Sequence, residues 1–197
     1  VTCIYIDSQK GGAQAISSFS KEFLNLVNGG FEFRNGAGEV VFKFPYLICY
    51  FALIAALMWF IWNKTTLGKN MFAIGGNQEA AAVSGVNIAR SIMLVYLVAG
   101  VLYGIAAFLE AGRIQSVNTG TGLNYELDAI SGCVIGGVSF SGGVGTIPGV
   151  IIGVVILQVI NYSLNFLGVN PYLQYIIKGV IIILAVSIDV RKYLAKK

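Results

Sequence analysis

From residue 45 onward the apolar positions come in long unbroken runs, with the polar ones gathered into short islands between them. Residues 45–62 carry no charge over 18 positions, about 27 Å as a helix against a hydrocarbon core of about 30 Å. Residues 91–109, 147–166 and 172–190 predict three further spans. Residues 127–140 form a shorter apolar segment, followed by Ser141-Gly142-Gly143-Val144-Gly145. Backbone of this kind at membrane depth is tolerated only where protein buries it or a wet cavity borders it. The segment is therefore expected inside the bundle. Glycines at spacing four (Gly100/Gly104, Gly132/Gly136 and Gly145/Gly149/Gly153) predict close helix contact. The expected fold is an all-α polytopic membrane bundle with about five transmembrane segments, one of them short and Gly-rich.

Residues 1–44 are the least apolar part, with four basic and four acidic residues in balance. Residues 1–6 read as the end of an earlier span, and residues 16–27 as a short amphipathic helix. Phe31 and Phe33 and then Val40, Phe42 and Phe44 alternate about Asn35-Gly36-Ala37-Gly38, which is a hairpin pattern. This outer region reads either as a stabilising surface loop or as a docking surface for a soluble partner.

The polar island at residues 71–90 lies within a loop, 63–90, that is too polar for lipid. Gly75 and Gly76 permit a sharp turn there, Asn77 suits an N-cap, Glu79 falls in the first helical turn, and Gly85 suits the C′ position. The pattern predicts a two-turn helix over 78–84 with Ala80, Ala81, Ala82 and Val83 on its exposed side. A helix this short is marginal alone in water and is expected to dock against something. Lys64, Lys69 and Arg90 flank the island, and Arg191, Lys192, Lys196 and Lys197 mark the tail at 191–197. Both are expected in the cytoplasm by the positive-inside rule, so an even number of crossings lies between them.

Composition agrees with a membrane protein: 56% of residues are hydrophobic and 11% charged, against about 25% charged in soluble domains. The first residue is Val and no signal-peptide pattern precedes the first clear span, so the chain reads as the C-terminal part of a longer protein. The net charge of +4 comes from membrane-flanking positions and argues against a nucleic-acid partner. Cys3, Cys49 and Cys133 have no metal spacing and read as packing residues.

The chain carries little of the side-chain chemistry that catalysis requires. Without histidine there is no Ser-His or Cys-His nucleophile and no histidine metal site. Residues 137–141, Gly-Val-Ser-Phe-Ser, lack the last glycine of a nucleophile elbow. No G-x-x-x-x-G-K-[ST] loop is present, so no ATP hydrolysis by this chain alone is expected. No catalytic, cofactor-binding or metal-ligating residue is expected. Glu126 and Asp128 read as first-turn residues of a helix or as an acid pair. Lys178 lies inside the last span, where it either snorkels to the outer interface or pairs with Glu126, Asp128 or Glu110 near the outer mouth.

Several stretches carry a resemblance. They are Asn63-Lys64-Thr65 with Gly68-Lys69-Asn70, FAIGGNQEAAAVSGVN over 72–87, and Glu110-Ala111-Gly112-Arg113. They continue in Tyr125-Glu126-Leu127-Asp128-Ala129-Ile130, GGVSFSGGVGT over 136–146, and Gly168-Val169-Asn170-Pro171-Tyr172. Over residues 45–192 the chain resembles the permease subunits of bacterial sugar ABC importers of the ribose/xylose/galactose family, most closely the galactose and methyl-galactoside branch. The resemblance is not recognisable over residues 31–44, and the family's N-terminal half is absent from the chain.

The resemblance implies a permease homodimer in lipid, in the bacterial inner membrane, with its C-terminus in the cytoplasm. It implies a sugar-binding protein docking outside and a separate ATP-binding subunit inside, which holds the ATP and Mg. Glu79-Ala80-Ala81 followed by Gly85 is similar to the loop that presents a coupling helix to the ATPase. Asn77, Glu79, Ala80, Ala81, Ser84 and Gly85 are therefore expected to couple to it. Tyr125, Glu126, Asp128, Ser139, Ser141, Asn161 and Lys178 are expected along the translocation path, as hydrogen-bonding groups in apolar segments. One rival is an ion-driven secondary transporter or channel, which would place an acid at mid-membrane, whereas Glu110, Glu126 and Asp128 fall near segment ends. A second rival is a structural membrane subunit, for which a buried polar Gly-rich segment has no purpose. An intramembrane enzyme lacks a complete catalytic set.

Overall fold

A computed structural model of the chain describes residues 15–17, 19–34 and 40–194. The expectation for residues 1–6 and the hairpin turn at 35–38 lie outside them. The described residues form helices α1 (Lys21–Asn28), α2 (Tyr46–Lys64), α3 (Thr66–Gly76), α4 (Gln78–Val83), α5 (Ile88–Ile114), α6 (Tyr125–Ile135), α7 (Ile147–Phe166) and α8 (Pro171–Leu194). One antiparallel hairpin, β1 (Gly30–Arg34) with β2 (Val40–Pro45), precedes α2. The fold is thus the expected helical one, with the hairpin where the alternation of residues 31–44 places it. The chain divides into two units, residues 1–57 with 95–122 and residues 58–94 with 123–197, each described by itself below.

In the first unit the hairpin pairs Phe31 with Phe44, Glu32 with Lys43 and Phe33 with Phe42, and a bulge falls at Phe33/Arg34. The amphipathic helix begins at Lys21 and not at Ile16, because Ser20 takes the N-cap and accepts the Phe23 N–H. Ile16 instead exchanges backbone hydrogen bonds with Val117 at 2.8 and 3.0 Å. Val27 is fully buried against Gly112, where a Cβ would come within 2.6 Å of it. The Asn28 amide donates to the Gly112 carbonyl at 2.6 Å, and Phe23 stacks edge-on against Phe108. α1 is thereby tied to the C-terminal end of α5, and Ile16 to Val117 just after it.

In the second unit α6 and α7 pack antiparallel through small residues. Gly136 abuts Gly149 and Val150, and one turn earlier Gly132 abuts Val154 with Gly153 beside it. A side chain at any of these glycines would strike the facing helix, so the backbones approach closely where lipid supplies no hydrophobic drive. In the first unit, a Cβ at Gly100 or Gly104 on α5 would meet nothing within 4 Å among the described residues, so the close contact expected there is not seen. After the turn at Leu167–Asn170, α8 doubles back, and Gln174 donates to Asn165 and to the Val169 carbonyl, each at 3.0 Å. The start of α7 and the C-terminal end of α8 therefore share one end of the unit.

By length and composition α2, α5 and α7 are apolar enough to cross a membrane, and the shorter apolar part of α8 runs over Pro171–Leu184. α6 has 11 residues, about 16 Å, roughly half a hydrocarbon core. It ends at residue 135, where the 127–140 segment was expected to continue, because Gly137 turns the chain at φ 82°.

Candidate functional site

The small helix α4 is held at both ends by its own sequence. Asn77 is the N-cap, its side-chain oxygen accepting the Ala80 N–H at 3.0 Å, and Glu79 lies in the first turn. At the other end Ser84 is the C-cap and its hydroxyl donates to the Ala80 carbonyl at 2.8 Å. Gly85 takes φ 84°, so its N–H reaches the Ala82 carbonyl and the Val86 N–H reaches the Ala81 carbonyl, both at 3.0 Å. These are the two bonds of a Schellman motif. Ala81 is 4% exposed and faces inward, which corrects its expected place on the outer side; Ala80, Ala82 and Val83 remain outside, Val83 at 90%.

α3 was not expected. Gly75 and Gly76 are its last turn and not a hinge, and the chain turns instead at Asn77, whose backbone is extended at φ −156°. Thr65 caps the helix by accepting the Gly68 N–H and donating to the Ile61 carbonyl at 2.6 Å. The legible signals were this threonine and the apolar positions Leu67, Met71 and Ile74 at i, i+4, i+7.

The seven expected path residues separate into two groups. Ser139 and Ser141 belong to a tight turn between α6 and α7, at the end of the unit that carries α3 and α4. The Ser139 N–H bonds the Val144 carbonyl at 3.0 Å, and its hydroxyl accepts the Ser141 N–H at 3.1 Å. Gly142 and Gly143 in this turn lie against Gly75 and Gly76.

The other group gathers about α6. Asp128 and Lys178 form an ion pair at 2.5 Å, with Lys178 8% exposed and its ammonium 5.8 Å from the Tyr175 ring centre. Pairing, and not snorkelling, therefore satisfies Lys178; Glu110 bonds Arg113. Tyr125 and Glu126 are exposed in the first turn of α6. Asn161 is 9% exposed, and its side-chain oxygen has no hydrogen-bond partner among the described residues.

Helix register places these groups in depth. Gly136 faces Gly149 and Gly132 faces Gly153, so Asp128, one turn earlier, falls level with Leu157, near the middle of α7. Gln174 bonds Asn165, so one turn further along each helix Lys178 falls level with Asn161. Asp128 thus lies in the first turn of its own segment, as expected, and yet level with the middle of α7, because α6 starts part-way along α7. Its charge is matched by a lysine, which leaves the pair neutral.

Comparison with known proteins gives one family and several named relatives. Residues 3–186 match the family described as branched-chain amino acid transport system / permease component. The chain is 56% identical over 186 residues to the galactose/methyl galactoside import permease protein MglC of Haemophilus influenzae, covering 94% of this chain and 54% of that protein. It is 41% identical over 140 residues to the ribose import permease protein RbsC of Bacillus subtilis, covering 71% and 44%. It is 41% identical over 180 residues to the xylose transport system permease protein XylH of Haemophilus influenzae, covering 88% and 47%. The chain spans about half the length of the curated relatives it matches. No solved structure matches it.

Proposed function

The chain belongs to the branched-chain amino acid transport system / permease component family, and on that premise we propose that it forms part of the transmembrane permease of an ATP-driven sugar importer. The relatives named as galactose/methyl galactoside, ribose and xylose permeases support a monosaccharide cargo, and the 56% identity to the first of these favours galactose or methyl galactoside. The observation that carries the reading is α4. A six-residue helix capped at both ends and presenting Ala80, Ala82 and Val83 outward has the form of a coupling element for a partner.

In this account α4 faces the cytoplasm between Lys64, Lys69 and Arg90 and docks on a separate ATP-binding subunit, which holds the ATP and Mg. This chain holds no cofactor and performs no covalent chemistry. A sugar-binding protein docks on the outer side of a permease homodimer in the bacterial inner membrane, and the C-terminus is cytoplasmic. About five crossings, with α6 packed against α7 and the turn after it at the end that carries α3 and α4, satisfy the charge pattern. Asn161 with its free acceptor, next to the level of the Asp128–Lys178 pair, offers hydrogen bonds to sugar hydroxyls, and Tyr125 and Glu126 lie at the entrance to α6.

The test is co-purification of the full-length permease with its ATPase, followed by ATP hydrolysis with the binding protein loaded with galactose or with ribose. Stimulation by the galactose-loaded form above the ribose-loaded form is expected. A complex that forms but responds to neither sugar would overturn the reading.

A further inference from the structure

The end of α3 and the turn after α6 meet backbone to backbone. A Cβ on Gly75 would lie 2.5 Å from the Gly143 nitrogen. From the other side, a Cβ on Gly142 would lie 2.6 Å from the Gly75 oxygen, and one on Gly143 would lie 2.9 Å from the Cα and nitrogen of Gly76. Gly142 and Gly143 hold φ of 90° and 69°, a region other residues enter only at a cost. The turn is braced internally by the Ser139–Val144 backbone bond, the Ser141 N–H on the Ser139 hydroxyl, and the Gly142 N–H on the Ser139 carbonyl at 3.3 Å. Neither surface offers a flexible side chain that could absorb a displacement.

Chain continuity then fixes what each surface carries. Gly76 is followed directly by Asn77, the N-cap of α4. On the other side Gly145 leads into Thr146, which caps α7 by accepting the Gly149 N–H at 3.2 Å, and Gly137 ends α6. α6 and α7 are locked to one another at Gly132, Gly136, Gly149 and Gly153, and α6 carries Asp128 to Lys178 on α8. From α4 to the buried ion pair there is an unbroken path of close-packed backbone. Close-packed interiors of this kind are stiff and transmit strain.

We propose that Gly75, Gly142 and Gly143 form a rigid joint that converts displacement of α4 by its partner into movement of the α6–α7 pair, and hence of the polar groups at mid-bundle. This rests on the coupling role given to α4 above. These glycines are positioning residues: they touch neither cargo nor partner, and small size at the contact is their whole contribution. A direct control lies next door, since a Cβ on Gly76 would meet nothing within 4 Å among the described residues, so Gly76→Ala makes the same chemical change at the same place without the clash.

The experiment uses the full transporter complex in proteoliposomes, comparing wild type, Gly75→Ala and Gly76→Ala for basal ATP hydrolysis and for sugar moved per ATP. Wild type must couple the two, and its failure to do so would refute the coupling reading itself and not the joint. Gly75→Ala should keep basal hydrolysis and lose about tenfold or more in sugar moved per ATP, while Gly76→Ala matches wild type. Normal coupling in Gly75→Ala would overturn the joint. Should Gly75→Ala not assemble, spin labels at Gln78 and Val144, both exposed, decide the matter in an otherwise cysteine-free protein. A Gln78–Val144 distance that is the same in nucleotide-free and ATP-trapped states supports a rigid joint, and a change approaching a helical turn, about 5 Å, overturns it.

Discussion

Removing the Asp128 charge while keeping its shape is the perturbation with the largest expected effect. In Asp128→Asn the Lys178 ammonium remains in place, 8% exposed and without its carboxylate. Breaking a buried pair from one side costs about 3–5 kcal/mol, because the remaining charge is left uncompensated. The Asp128 side chain is 26% exposed against 10% for Lys178, so residual solvent access places the cost toward the lower end of that range. Removing both charges, in Asp128→Asn with Lys178→Met, should recover most of the loss, since no buried ion is then left uncompensated. The assay is the loss of monodisperse full-length protein on heating in detergent, for wild type, both single variants and the double variant. A double variant no more stable than Asp128→Asn, or an Asp128→Asn protein as stable as wild type, would refute the reasoning. Transport assays on the same set separate stability from function: a double variant that is stable but fails to transport marks the pair as part of the path.

Three further outcomes follow from the site. Val83→Asp adds a charge at a residue 90% exposed on α4; the protein should insert and fold normally but retain less ATPase subunit on co-purification. Gly85→Val forces a β-branched residue to φ 84°, a cost of about 1–2 kcal/mol in a left-handed conformation; it should fray the C-terminal end of α4 and raise ATP use per sugar moved, with insertion unchanged. Gly153→Ile would collide with the Gly132 carbonyl and the Gly136 backbone. Separation of α6 from α7 should then lower both thermal stability and uptake, read by heating and vesicle transport together.

Much of this arrangement was legible because its signals are local. Asn77, Glu79, Ser84 and Gly85 each act within one turn of α4, so composition and spacing alone locate its caps. The run 147–166 became α7 with the same ends because Thr146 and Pro148 mark its start in the sequence. What could not be read depends on contacts between distant segments. Gly75 and Gly76 look like a hinge in isolation and are helical in the structure, because α3 has its own cap at Thr65 and its end lies against Gly142 and Gly143. Ala81 and Ala82 are indistinguishable by composition, yet Ala81 is buried and Ala82 exposed. That Asp128, in the first turn of α6, lies level with the middle of α7 could not be read, because a segment's position in the chain does not reveal where along its neighbour it begins. Only the meeting of Gly132 and Gly136 with the first half of α7 sets that level. Lys178 illustrates the middle ground: its place in an apolar span calls for a partner and leaves three candidates, and the fold selects Asp128.

The mid-bundle position of Asp128 brings the ion-driven alternative closest to the ATP-driven one, so one measurement bears most directly on the central claim. The full-length permease is reconstituted into proteoliposomes with its ATPase and binding protein, and uptake of radiolabelled galactose is followed with proton and sodium gradients collapsed by ionophores. The account predicts uptake that requires ATP and is unaffected by the ionophores. Uptake that continues without ATP and disappears when the gradients collapse would contradict it.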